Sequence, residues 1–200
     1  MVYLITASVI GYLLGSISFA VVFSKVFYGE DIRNSGSGNA GATNAIRLYG
    51  KKTGIAVFLC DFAKGVIAVA VAKLLVSIFN APYETMLAAG FFVQLGHIFP
   101  LYHGFRGGKG VATAVGAAFV VMPLTAVLLL VIFAIILLTS KYVAVASGVC
   151  AALYPILAYF MSASRATENC VFAVFCSMLI IIKHTSNFIR VSKGEEGKIK

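Results

Sequence analysis

Acidic residues are scarce in this chain: seven among 200, against sixteen lysines and arginines. Charged residues of both signs reach only 12%, where a soluble domain carries about a quarter. No stretch stays hydrophilic long enough for a separate soluble domain. Hydrophobic residues make up 60% of the chain, and the mean hydropathy is +0.98. These shortages leave one comfortable class, a single all-α, polytopic integral membrane domain over residues 1–200. The few carboxylates form no pair suited to acid/base work, and no Ser-His-Asp order is evident. Only four cysteines occur, Cys60, Cys150, Cys170 and Cys176, each in an apolar run and none at metal-ligand spacing. They read as buried free thiols, and no metal site is expected.

The basic residues that are present occupy telling positions. Lys25, Arg33, Arg47, Lys51, Lys52, Arg106, Lys109, Lys141, Lys183, Arg190, Lys193, Lys198 and Lys200 fall between apolar runs or in the tail. Such placement sets orientation by the positive-inside rule. The runs predict crossings over 2–24, 54–76, 85–102, 111–121, 124–140, 143–161 and 169–182. That makes about seven transmembrane helices, with the N-terminus outside and the C-terminus cytoplasmic. Only Lys73 and Arg165 then lie toward the outer side. The first run has no charged leader segment, so it reads as a retained helix. Its Gly11-xxx-Gly15 spacing suits close helix packing. The fourth run would span only about 16 Å; it and the fifth can alternatively form one re-entrant hairpin. Asp61 and Lys64 share a helix face at i and i+3, as a rim ion pair or as support for a site. His97 reads as a packing histidine.

Two loops stand out against this apolar background. The first is Gly36-Ser37-Gly38-Asn39-Ala40-Gly41-Ala42-Thr43-Asn44, with Arg47 following. Its glycines let backbone N–H groups converge into an anion nest at a helix start, and its polar side chains add donors. It is either a phosphate cradle or a glycine-rich connector. The second is Arg106-Gly107-Gly108-Lys109-Gly110-Val111-Ala112-Thr113. It lacks the hydroxyl residue that follows lysine in a Walker loop, since Gly110 stands there. What remains is an ammonium carried into a helix N-terminus. In the predicted topology both loops share the cytoplasmic face with Ser147 and with Lys183-His184-Thr185-Ser186-Asn187-Phe188-Ile189-Arg190. The His-x4-Asp pattern of soluble and peripheral glycerolipid acyltransferases is missing, because Tyr102, Gly108 and Ile189 occupy the fifth positions after the three histidines. The double-aspartate pattern of CDP-alcohol phosphotransferases is missing too.

Taken in order, three of these stretches resemble the motifs of the PlsY family, the bacterial acyl-phosphate:glycerol-3-phosphate acyltransferases. They are Ser37 to Asn44 with Arg47, then Gly107 to Thr113, then Lys183-His184-x-x-Asn187-x-x-Arg190 with Gly194 and Glu196. The resemblance covers essentially the whole chain. Phe188 stands where isoleucine is usual, and Ala144 replaces the first of two serines of which Ser147 matches the second. The resemblance implies acyl transfer from acyl phosphate to the 1-hydroxyl of glycerol 3-phosphate at the cytoplasmic face of the bacterial plasma membrane. The products would be lysophosphatidic acid and inorganic phosphate. It implies catalytic parts for Ser37, Asn39, Thr43, Arg47, Lys109, His184 and Asn187. It implies substrate-binding parts for Gly36, Gly38, Gly41, Asn44, Gly107, Gly108, Gly110, Thr113, Ser147 and Arg190. The expected partners are acyl phosphate, glycerol 3-phosphate and the lipid bilayer; no cofactor, metal or nucleic acid is expected, and the chain is expected to act as a monomer. A transporter of a phosphorylated anion is the competing class, but transporters gather polar residues at the midplane of repeated halves. A lipid-binding structural protein would leave the motifs unexplained.

Overall fold

The structure, a computed structural model, describes residues 1–162 and 164–199; Ala163 and the tail residue Lys200 lie outside the described residues. Among the described residues every regular element is helical. The helices group into two compact units, residues 1–121 and residues from Met122 onward.

The first unit opens with α1 (Val2–Gly15) and α2 (Phe19–Tyr28), the two halves of a broken span. The sequence predicts one uninterrupted run to Ser24. The helix instead stops after Gly15 and restarts at Phe19, because a buried cation takes the freed carbonyls: Lys64 Nζ donates to Gly15 O (3.0 Å) and Ile17 O (2.8 Å). A short 3-10 turn (Ile32–Asn34) leads to α3 (Ala42–Tyr49), followed by the long α4 (Lys51–Phe79). Next come α5 (Glu84–Ile98), a 3-10 turn (Leu101–His103) and α6 (Val111–Val121).

Glycine sets the close approaches in this unit. A Cβ on Gly11 would stand 2.8 Å from Ala89 O, and one on Gly15 would overlap Val93 O. The Gly-xxx-Gly spacing is thus a docking face for α5, as expected. α6 is seated on α4 in the same way, with Gly65 against Thr113 O and Gly116 against Phe62 O.

The second unit is α7 (Pro123–Ser140), α8 (Val143–Met161) and α9 (Ala166–Ser192). Lys141, at φ +63°, turns α7 sharply into α8. α9 runs ten residues beyond the predicted end of its crossing at Ile182, so His184, Asn187 and Arg190 belong to the spanning helix itself. The turn after it folds back: Glu195 and Glu196 N–H donate to Arg190 O, and Ile199 N–H donates to Lys141 O.

Six helical segments are long and apolar enough to cross a membrane, and Val111–Val121 is a shorter apolar helix. Leu59, Ile67, Leu74 and Ile78 stay exposed along α4, as do Leu124, Val131, Ile135 and Leu138 along α7. In water such faces would be sticky patches; against lipid tails they are the natural surface.

Candidate active site

In the first unit the Gly36–Asn44 loop rests on a small apolar core of Ala20, Val21, Ile32, Ala40, Ala45 and Val57. Its shape is held from inside by Asn44, which is 1% exposed. The Asn44 amide donates to Ile32 O (3.3 Å) and Ser35 O (3.1 Å), and its Oδ1 accepts from Ser37 N–H (3.0 Å). Gly36 (φ +61°) and Gly38 (φ +70°) supply the left-handed turns. The N–H groups of Gly38 and Gly41 are engaged within the loop, with Ser35 O and Asn39 O. α3 begins at Ala42, so the N–H groups of Ala42, Thr43 and Asn44 have no acceptor within the helix and point out of its positive end. Ser37 is exposed, Asn39 and Thr43 are half-buried, and Arg47 is exposed on α3.

The second glycine loop packs directly on the first. Gly107 and Gly108 N–H donate to Ile98 O (3.2 Å) and His97 O (3.1 Å), which clamps the loop to the end of α5. A Cβ on Gly108 would overlap His97 Nε2 and stand 2.8 Å from Ala40 O, so only a glycine fits between the loops. Gly110 (φ +82°) turns the chain into α6 and leaves Lys109 half-buried at the entrance of that helix. Thr113, by contrast, is fully buried against α4, and its Oγ1 has no hydrogen-bond partner among the described residues.

Arg33 ties the two loops together. Its guanidinium grips Asp31 as a fork, with Nε–Oδ1 at 2.9 Å and Nη2–Oδ2 at 2.7 Å. Nη1 also donates to His103 O (2.6 Å) and Arg106 O (3.2 Å). These hydrogen bonds hold the Asp31 carboxyl well below the usual carboxylate range and raise the guanidinium. At the other end of the connection, Tyr49 stacks on Tyr28 with ring centroids 4.0 Å apart and donates to Glu30 Oε1 (2.8 Å). Burial and that acceptor push the Tyr49 phenol up to about 12.

The second unit carries a row of donors along α9 and one buried hydroxyl on α8. His184 is buried, and its Nδ1 lies 2.8 Å from Ile180 O. A carbonyl only accepts, so Nδ1 carries a proton and Nε2 faces away from its own turn. Asn187 Nδ2 and Arg190 Nε both donate to Glu196 Oε2, at 3.1 and 2.8 Å. Gly148, next to Ser147, packs under the Phe188 ring. Ser147 is 2% exposed, with no hydrogen-bond partner for its Oγ among the described residues.

The sequence and the fold are similar to those of known proteins. A sequence model of the family described as glycerol-3-phosphate acyltransferase matches residues 5–194. The chain belongs to the glycerol-3-phosphate acyltransferase family. A glycerol-3-phosphate acyltransferase of Listeria monocytogenes (serotype 4a) is 40% identical over 200 residues, covering 98% of this chain and 97% of its own. Two solved structures of PlsY, an integral membrane glycerol 3-phosphate acyltransferase, share the fold. Its glycerol 3-phosphate form superposes with a TM-score of 0.88 at 36% identity, covering 98% of this chain and 96% of that one. Its lysophosphatidic acid form gives 0.85 at 34% identity, covering 98% and 95%.

For a member of this acyltransferase family, the sequence motifs mark most of the polar groups but not how they are held. Asp31 and Arg33 carry no motif signal, because an i, i+2 pair in a loop has no periodicity to betray it. His97 looks like an ordinary helix-end histidine until Gly108 is seen packed on its ring.

Proposed function

We propose that this chain moves a fatty acyl group from acyl phosphate to the 1-hydroxyl of glycerol 3-phosphate, releasing lysophosphatidic acid and inorganic phosphate. The observation that carries the reading is the packing of Gly108 on Ala40 O and His97, which makes two glycine loops one unit, with Arg47 and Lys109 on the elements that bear them. The solved relatives support it, being named for their glycerol 3-phosphate and lysophosphatidic acid forms.

The hydroxyl oxygen attacks the acyl carbonyl carbon, the bond from that carbon to the phosphate oxygen breaks, and phosphate leaves with the electron pair. The hydroxyl proton passes to a phosphate oxygen, so no carboxylate has to remove it. Acyl phosphate is already activated, and neither coenzyme A nor ATP enters. Ser37, Asn39 and Thr43, with the first-turn N–H groups of α3, hold the acyl-phosphate head and the developing oxyanion, each donor worth about 2.7–4 kcal/mol there. Gly36, Gly38, Gly41 and Asn44 shape that loop. Arg47 and Lys109 supply positive charge for phosphate, and Gly107, Gly108 and Gly110 shape the turn that presents Lys109. Ser147, His184, Asn187 and Arg190 contribute further donors, with His184 acting through Nε2–H as a phosphate donor. Thr113 serves the packing of α6. Holding both substrates adds effective molarity.

The positive-inside distribution supports an N-terminus outside and glycine loops on the cytoplasmic side of a bacterial plasma membrane, where the chain is proposed to act as a monomer in lipid. The broken first span is one transporter-like feature, but Lys64 already occupies it. The deciding assay is phosphate release from an acyl phosphate by the purified protein with chelator present. Release that depends on glycerol 3-phosphate and yields lysophosphatidic acid supports the reading. Glycerol 3-phosphate uptake into proteoliposomes without acyl transfer overturns it.

A further inference from the structure

Beneath the glycine loops lies a buried charge cluster that the proposed reaction does not use. Asp61 and Lys64 on α4 and His97 on α5 are 2%, 1% and 5% exposed. Lys64 Nζ pairs with Asp61 Oδ1 at 3.0 Å as an ion pair and donates hydrogen bonds to Gly15 O and Ile17 O. Asp61 Oδ1 in turn faces His97 Nδ1 at 3.4 Å. That approach is too poorly aligned for a hydrogen bond, and Nδ1 has no other partner among the described residues. At this distance a carboxylate attracts an N–H and repels a ring lone pair, so the proton belongs on Nδ1, facing Asp61. The opposite edge of the ring, with Nε2, is the surface on which Gly108 lies, and Ala40 O of the first loop closes the same contact. The backbone carbonyl of His97 accepts from Gly108 N–H.

We propose that Asp61 and His97 are positioning residues for the acyl transfer: Asp61 locks the His97 ring, and the ring sets the spacing of the two glycine loops. Lys64 neutralises Asp61 and anchors the cluster to the broken end of α1. A buried ion pair is a weak source of stability, because desolvation offsets much of the attraction. What the Asp61 charge supplies besides is an orientation for the ring it faces.

The inference rests on the glycine loops binding phosphate as proposed above. The test is the double variant Asp61→Asn/Lys64→Met, which removes both charges together, compared with wild type for thermal midpoint in detergent, kcat, and inhibition by inorganic phosphate. The expected result is a midpoint lowered by the loss of the Lys64 donors to Gly15 O and Ile17 O, a kcat lower by roughly ten- to a hundredfold in the folded protein, and phosphate inhibition weakened at least about tenfold. A folded double variant with wild-type kcat and phosphate inhibition overturns the inference, and the cluster is then only a structural pair. If wild type itself shows no release dependent on glycerol 3-phosphate, it is the functional reading that fails. A second measurement does not depend on the variant folding. The chain has three histidines, so 15N-histidine labelling of wild type resolves each ring. A protonated Nδ1 on His97 is expected; an unprotonated Nδ1 overturns the lock.

Discussion

Gly108→Ala isolates the contact that joins the two loops. The φ of Gly108 lies outside the left-handed region, so an alanine costs the backbone nothing. The whole effect is collision. Its Cβ would overlap His97 Nε2 and stand 2.8 Å from both Ala40 O and His97 Cε1, where ordinary contact begins at 3.4 Å. Two of the obstacles are ring atoms of a buried side chain and one is backbone, so none can swing aside. The loops must therefore separate by at least about half an ångström, and overpacking of this kind costs about 1–3 kcal/mol. Misplacing reacting groups by about 1 Å can cost 10²-fold in rate. Phosphate release by Gly108→Ala should fall by one to two orders of magnitude, with a modest drop in thermal midpoint. The matched control is Gly29→Ala: φ is +70° and a Cβ there meets nothing within 4 Å. It should lose about 1 kcal/mol from backbone strain and keep its activity. If Gly108→Ala stays within about twofold of wild type while folded, the loops are not one cradle and the reasoning from packing fails.

Three further expectations follow from the same geometry. Asn44→Ala strips partners from two carbonyls and one N–H inside the first loop, and should cost about 1–3 kcal/mol per group left buried, read as a lower thermal midpoint together with lost turnover. Asp31 has a lowered pKa, so its pairing with Arg33 stabilises the fold above the ordinary carboxylate range and is lost as pH falls through the lowered value. Thermal melts across an acid series should therefore show Arg33→Ala losing stability at neutral pH and showing a weaker acid dependence than wild type; an unchanged acid profile would refute the link. For His184→Asn, a raised KM for glycerol 3-phosphate with the pH–rate shape kept is expected of a phosphate donor, whereas loss of the rising limb at saturating substrate would make His184 the base.

The sequence by itself determined the class, the main apolar runs and the polar strings that interrupt or end them. Apolar length and the placement of lysine and arginine are local properties, legible without a fold. The motifs around Ser37, Lys109 and His184 were legible for the same reason, since each is a contiguous string whose glycines and donors announce themselves. Tertiary structure alone decided what those strings rest on. The first span breaks at Ser16 because an ammonium 49 residues later takes the Gly15 carbonyl. Asn44, which reads as a ligand donor, has its amide engaged with the loop's own backbone. Arg33 reaches carbonyls 70 and 73 residues away, and His97 matters because Gly108 and Ala40 meet its ring. Contacts of that separation leave no period or spacing in the chain, because they exist only where packing brings distant backbone within hydrogen-bond reach.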